Sequence, residues 1–145
     1  MRAYADTGFL CSLYVPDVHT ARVIARMEVQ ALPLPLTWLH QIEFRNAVRL
    51  RVFRQEISRE QRDTSIRHVL ADLAVGVLAG ATPSLEAMAA EAERLSASHS
   101  ESLGTRSLDV LHVAMALVLG TEEFLGLDRR QNALARAAGL GVPDL

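Results

Sequence analysis

Arg106-Ser107-Leu108-Asp109-Val110-Leu111-His112-Val113-Ala114-Met115-Ala116-Leu117-Val118-Leu119 is the stretch that decides how this chain folds. It predicts a helix that is apolar nearly all round, the kind that lies inside a domain with neighbours on every side. Asp109 falls in its first turn, between Leu108 and Val110. A carboxylate placed there is partly desolvated, which costs several kcal/mol, roughly, unless a cation or hydrogen-bond donors compensate. One reading is a helix-start aspartate, stabilised by the free amides and positive dipole end of the first turn. The other is a functional acid, because three further acids recur in similarly apolar settings.

On the N-terminal side, Ala3-Tyr4-Ala5 predicts a short strand stopped by Asp6, Thr7-Gly8 a turn or helix entry, and the apolar run Phe9–Tyr14 a helix reaching towards Pro16. Asp17 is suited to cap a helix over 18–31, and Leu32–Thr37 reads as a short strand, since each proline pushes its predecessor towards an extended backbone. Thr37 caps a helix over 38–55 in which Leu39, Glu43, Ala47 and Leu50 share one face. Ser58 and Gln61 form a capping box for a helix reaching Asp72. Leu73–Ala81 reads as a third strand, Pro83–Ala97 as a helix opening at Ser84, and Ser96–Thr105 as a loop. Beyond the central helix, Phe124–Leu127 predicts a fourth strand stopped by Asp128, Arg129–Ala138 a helix ended by Gly139, and Val142 an edge strand. Strands alternating with helices indicate an α/β domain with a mainly parallel sheet of four to five strands.

The chain of 145 residues is about one domain's worth, 1–145, and half of it is hydrophobic. A formal net charge of −2 gives no general attraction to nucleic acid, yet all 15 basic residues are Arg, whose fork suits phosphate and carboxylate. The single Cys11 excludes an intrachain disulfide. With neither a signal peptide nor a run able to span a bilayer, the expected location is cytoplasmic.

Asp6, Glu43, Asp109 and Asp128 differ from most of the other acids, which lie among polar residues; Asp72, between Ala71 and Leu73, is a fifth candidate. Asp6 and Asp128 each end a strand and precede a helix, and in open α/β sheets ligands bind outside the carboxyl ends of the strands. Glu43 and Asp109 lie near helix starts, which such a sheet delivers to the same edge. Convergent carboxylates repel unless a hard divalent cation, Mg²⁺ or Mn²⁺, joins them. Asp72 is set aside because it ends a helix running the other way.

These segments resemble those of the PIN-domain ribonucleases, in particular the VapC-type toxins of bacterial toxin–antitoxin pairs. Asp6-Thr7-Gly8-Phe9-Leu10 is similar to the family's opening Asp-(Thr/Ser)-Ser-hydrophobic segment, and Glu43-Phe44-Arg45-Asn46-Ala47 to its Glu-x-x-Asn-Ala helix. Asp109-Val110-Leu111-His112-Val113-Ala114 resembles the Asp-Ala-Leu-His-hydrophobic-Ala helix, and Phe124–Asp128 with Gln131, Ala135, Gly139 and Leu140 the closing segment. The chain departs from the pattern at Gly8, where the family has Ser, and at Gly126, where it has Thr or Ser.

The resemblance implies a PIN-like three-layer α/β/α fold and Mg²⁺- or Mn²⁺-dependent hydrolysis of RNA phosphodiesters. Asp6, Asp109 and Glu43 would hold the metal, and Asp128 would complete a second site or orient the attacking water. It further implies a cognate antitoxin and a homodimer. Two alternatives stand beside it: a PIN-like RNA-binding or regulatory module with weakened catalysis, suggested by Gly126, and a metal-independent ribonuclease using histidines.

Other residues bear on these readings. His112, one turn after Asp109, is expected in the core or bracing a neighbour, and His19, His40, His68 and His99 at surface or half-buried positions. Arg45, Arg49 and Arg54 offer either a phosphate-contacting flank or a solvated face paired with local acids. Arg106, three residues before Asp109, is expected to pair with an acid at the site's rim, as a possible contact for RNA or antitoxin. Trp38 offers a stacking face for a base, though core or dimer packing is the commoner role.

Overall fold

β1 (Ala3–Ala5) and β4 (Glu123–Leu125) pair in parallel, with Ala3 opposite Glu123, Tyr4 opposite Phe124 and Ala5 opposite Leu125. A parallel pair covered on both faces calls for an unbroken apolar run. All three residues of β1 are accordingly buried, as are Phe124 and Leu125. The structure, a computed structural model, describes residues 2–145. The chain packs as two compact units, one formed by 2–6 with Thr82–Leu145 and the other by Thr7–Ala81.

In the first unit, β1 and β4 are accompanied by α5 (Leu85–Leu95), α6 (Glu101–Leu103), α7 (Ser107–Val118) and α8 (Arg129–Ala137). The sequence expectation for α7 holds: Val113, Ala114, Met115 and Ala116 have no exposed surface. Tyr4 stacks on Phe124, and its hydroxyl is 2.7 Å from His112 Nδ1. The expected loop over 96–105 is instead helical. Ser96–Ser100 forms one π-helical turn that runs into α6. Nothing in Ser-Ala-Ser-His-Ser breaks a helix, and the turn ends only where Gly104 takes φ +65°. At the C-terminus the expected edge strand at Val142 shrinks to a single parallel bridge between Glu123 and Gly141. Pro143 carries no amide hydrogen with which to extend it.

The second unit holds α1 (Thr7–Tyr14), α2 (Thr20–Glu28), β2 (Leu34–Leu36), α3 (Trp38–Phe53), α4 (Arg59–Val75) and β3 (Leu78–Gly80), with β2 and β3 parallel. Thr37 caps α3 and Ser58 caps α4, as their sequences require. Three expectations change. α2 starts later than predicted, because Asp17 accepts from the Ser12 hydroxyl (2.7 Å) and the His19 amide (2.8 Å) and so sits in the preceding turn. α4 continues through Leu73–Val75, where a strand was expected, until Gly76 reverses the backbone at φ +84°. The buried face of α3 is Leu39, His40, Phe44 and Val48, not the stripe through Ala47 and Leu50. Phe44 gives the reason: its ring meets Tyr14 edge-on at 5.9 Å and turns the helix by that face towards α1.

The architecture is thus α/β, and among the described residues the four strands form two pairs, both parallel. Among the described residues no helix is long and apolar enough to cross a membrane.

Candidate functional site

The C-terminal ends of β1 and β4 lie side by side, and each is followed by an aspartate. The Asp6 amide donates to the Leu125 carbonyl at 2.9 Å, which carries the pairing one residue beyond β1. Asp6 is only 6% exposed. Past β4 the chain turns through Gly126 and Leu127 to Asp128, whose carboxylate caps α8 by accepting from the Gln131 amide at 2.9 Å. Asp128 therefore has a structural duty of its own.

Asp109 lies in the first turn of α7 and is 9% exposed. Arg106 compensates its charge: Nε donates to Oδ2 at 2.9 Å and a terminal nitrogen approaches Oδ1 at 3.5 Å. The bonded carboxylate of Asp109, and after it the charge of Asp128, hold the Arg106 guanidinium above its usual pKa. Arg106 thus feels the charge of both acids, Asp109 through a direct bond and Asp128 from further away. The Arg106 side chain remains 72% exposed. The expected pairing of Arg106 with an acid is present, and the acid is Asp109 itself.

Glu43 belongs to the second unit, where Oε1 accepts from the Thr7 hydroxyl at 2.9 Å. Thr7 is the chain neighbour of Asp6, so one dipeptide supplies an acid to the first unit and a hydroxyl to Glu43. Sequence reasoning gave Thr7 no role. Its place at the first position of α1, straight after a strand-ending aspartate, was the signal available.

Oxygen-only donors of this kind suit a hard divalent cation. They do not form a closed cage, for among the described residues no group of three or more His, Cys, Asp or Glu is arranged to hold a metal ion. A cation at Asp109 would have to compete with Arg106.

Gly126 is accounted for by its neighbour. A Cβ there would stand 2.5 Å from Asn132 Oδ1 and 3.0 Å from the Phe124 ring. The Asn132 amide nitrogen donates to the Gly126 carbonyl at 2.9 Å, while its buried Oδ1 has no hydrogen-bond partner among the described residues. The carboxamide occupies the volume a larger residue would need, and the spacing of Gly126 from Asn132 gives no sign of this in the sequence.

The histidines divide. His112 is a core residue bound to Tyr4, as expected, whereas His40, expected near the surface, is fully buried. There Nδ1 lies 3.0 Å from the Thr37 amide and closes the capping box of α3. A histidine at the third helical position can do what glutamine does in that motif, and this placement removes it from solvent. Asp72 accepts from the Tyr14 hydroxyl at 2.6 Å, in keeping with its exclusion from the acid set. Trp38 is 47% exposed and does not belong to the core. Neither Arg45 nor Arg49 has an ion-pair partner among the described residues, so of the two readings offered for them the pairing with local acids is not met; on the same helix Arg51 contacts Asp17 and Glu56.

The fold can be set beside known structures. It is similar to that in the crystal structure of FitAcB from Neisseria gonorrhoeae. The likeness covers 98% of this chain and 96% of that one, with a TM-score of 0.64 at 16% sequence identity. At that identity it is a likeness of fold, and it agrees with the α/β class expected from the sequence. No family model matches the chain, and no curated protein is similar to it.

Proposed function

We propose that this chain is a PIN-type endoribonuclease, dependent on Mg²⁺ or Mn²⁺, that acts as the toxin of a toxin–antitoxin pair. One observation carries the enzymatic part. Asp6 and Asp128 follow two paired parallel strands at their carboxyl ends, and a third, nearly buried aspartate, Asp109, stands at the start of the neighbouring helix. The PIN-like motifs around these residues and the likeness of fold support the same reading.

Asp6 and Asp109 would hold the cation, with Asp128 as a further oxygen donor. When bound, the ion supplies positive charge for the scissile phosphate and a water of lowered pKa. To take a cation Asp109 would have to release Arg106, whose exposed guanidinium would then be free to meet a phosphate oxygen. Glu43, held by Thr7, joins the reaction on sequence grounds. The antitoxin partner and the homodimer rest on the family resemblance. A second reading, an RNA-binding module with weak catalysis, is favoured by the Arg106–Asp109 pair and by Gly126.

Cleavage of labelled RNA by wild type, Asp6→Asn and Asp109→Asn, in EDTA and after adding Mg²⁺ or Mn²⁺, separates these readings. The nuclease reading expects cleavage only with metal and its loss in both variants. RNA binding without cleavage supports the second reading. Cleavage that survives EDTA contradicts metal dependence and returns the histidines to consideration.

A further inference from the structure

The exposed face of α3 in the second unit is a groove of about 520 Å³ lined by Trp38, Gln41, Ile42, Arg45, Asn46 and Arg49. The spacing of these residues places them on one side of a single helix. Over the 11 helical steps from Trp38 to Arg49 the face extends roughly 16 Å. It contains one half-exposed indole, two guanidinium groups, two amides and no acid. Neither arginine has a partner among the described residues, although Arg51 on the same helix does. Unpaired guanidinium groups beside an exposed aromatic ring leave this face short of both negative charge and a stacking partner.

We propose that this face binds single-stranded RNA, with a nucleobase stacked on Trp38 and backbone phosphates on Arg45 and Arg49. The choice of RNA rests on the function proposed above; the choice of ligand chemistry rests on the face. Single-stranded nucleic acid is held by aromatic platforms combined with a positive track. Gln41 and Asn46 add donors and acceptors of the kind that read base edges. A second copy of the chain fits poorly. A twofold contact through this face would bring Arg45 and Arg49 towards their counterparts with no acid in the groove to offset them. An amphipathic helix of a protein partner seeks apolar anchors at repeated helical spacings, and here only Trp38 and Ile42 are apolar.

Trp38 is the only tryptophan, so its emission reports on this face alone. The test titrates the full-length protein, in EDTA to prevent metal-dependent cleavage, with fluorescein-labelled single-stranded oligo(U) and oligo(A) over a range of salt. Saturable quenching of Trp38 is expected. By anisotropy, Trp38→Ala should weaken binding about tenfold and Trp38→Phe less, because phenylalanine keeps a ring to stack on. Arg45→Gln with Arg49→Gln should weaken all sequences alike and flatten the slope of log affinity against log salt by about 1.4. Duplex RNA, whose bases are already stacked, should bind more weakly and leave the emission unchanged.

Binding with unchanged affinity and salt slope in these variants overturns the proposal, as does binding without quenching. Emission that shifts with protein concentration alone assigns the face to a second copy. Equal quenching by polyglutamate assigns it to an acidic peptide. Wild type that cleaves RNA while the variants bind normally sinks this inference alone. Binding at Trp38 without metal-dependent cleavage sinks the nuclease reading alone.

Discussion

Asp109 in the first unit and Asp72 in the second are both helical aspartates flanked by apolar residues, yet the fold treats them differently. Asp72 is tied by a 2.6 Å bond to the hydroxyl of Tyr14, which is 9% exposed, and both lie within one packed unit. Asp109 is as buried as a core residue, but its cation is Arg106, on a side chain 72% exposed. A carboxylate answered by a buried hydroxyl is fixed in place. One answered by a guanidinium on a mostly exposed side chain can exchange that partner for another cation, because solvent screens the arginine's end of the pair. The difference separates a structural acid from one available for chemistry.

The largest expected effect breaks the comparison at the level of activity. Asp109→Asn should reduce RNA cleavage by more than about 100-fold, since even residues bracing a metal ligand cost up to that much. Asp72→Asn should leave cleavage per folded molecule near wild type. Equal losses in an assay corrected for folded fraction would remove the distinction.

Next in size is Gly126→Ala, which pushes a Cβ into Asn132 Oδ1 and the Phe124 ring. Destabilisation of about 1 to 3 kcal/mol is expected in urea unfolding. Asn132→Ala in the same chain should recover part of it. No recovery would mean that Phe124, and not the carboxamide, sets the limit at this turn.

Tyr14→Phe should cost about 1 to 2 kcal/mol at neutral pH through loss of the bond to Asp72. Burial, with the Asp72 bond and charge added, raises the Tyr14 hydroxyl well above its ordinary value of 10.0. The folded chain therefore keeps a proton that the unfolded chain loses above about pH 10. This contribution to stability is complete below that value and declines as pH rises above it towards the folded value. Denaturation followed from pH 8 to 11 should show a steeper alkaline loss in wild type than in Tyr14→Phe. Parallel curves would mean that this hydroxyl titrates normally.

The smallest effect concerns Arg106. Arg106→Gln frees Asp109 from its competitor and should tighten Mn²⁺ binding by less than about fivefold, the scale of an exposed ion pair. Calorimetry showing weaker binding would instead make Arg106 an organiser of the site.

Much of this was legible in the chain. Strand-ending Asp6 and Asp128, the capping residues Thr37 and Ser58, and the buried helix around Met115 follow from local patterns that the fold does not override. What was not legible depends on partners distant in sequence. Phe44 and not Leu50 faces inward because Tyr14 waits for it. Asn132 makes Gly126 necessary across a turn with no periodicity. The helical run through Ser96–Ser100 shows that small polar residues specify a loop only when something breaks the helix. The acids were legible as residues, but two of their partners, the Thr7 hydroxyl for Glu43 and the Gln131 amide for Asp128, emerge only in the fold.

We propose that Asp109 is open to a cation while Asp72 is not. Thermal melts of wild type, Asp109→Asn and Asp72→Asn, each in EDTA and in millimolar Mn²⁺, test it without reference to activity. A cation that binds only the folded chain raises its melting temperature by mass action. Mn²⁺ is expected to raise the melting temperatures of wild type and Asp72→Asn alike, whatever their values in EDTA, and that of Asp109→Asn far less. An equal rise in all three would place any bound cation away from Asp109 and leave that residue a helix-start aspartate paired with Arg106.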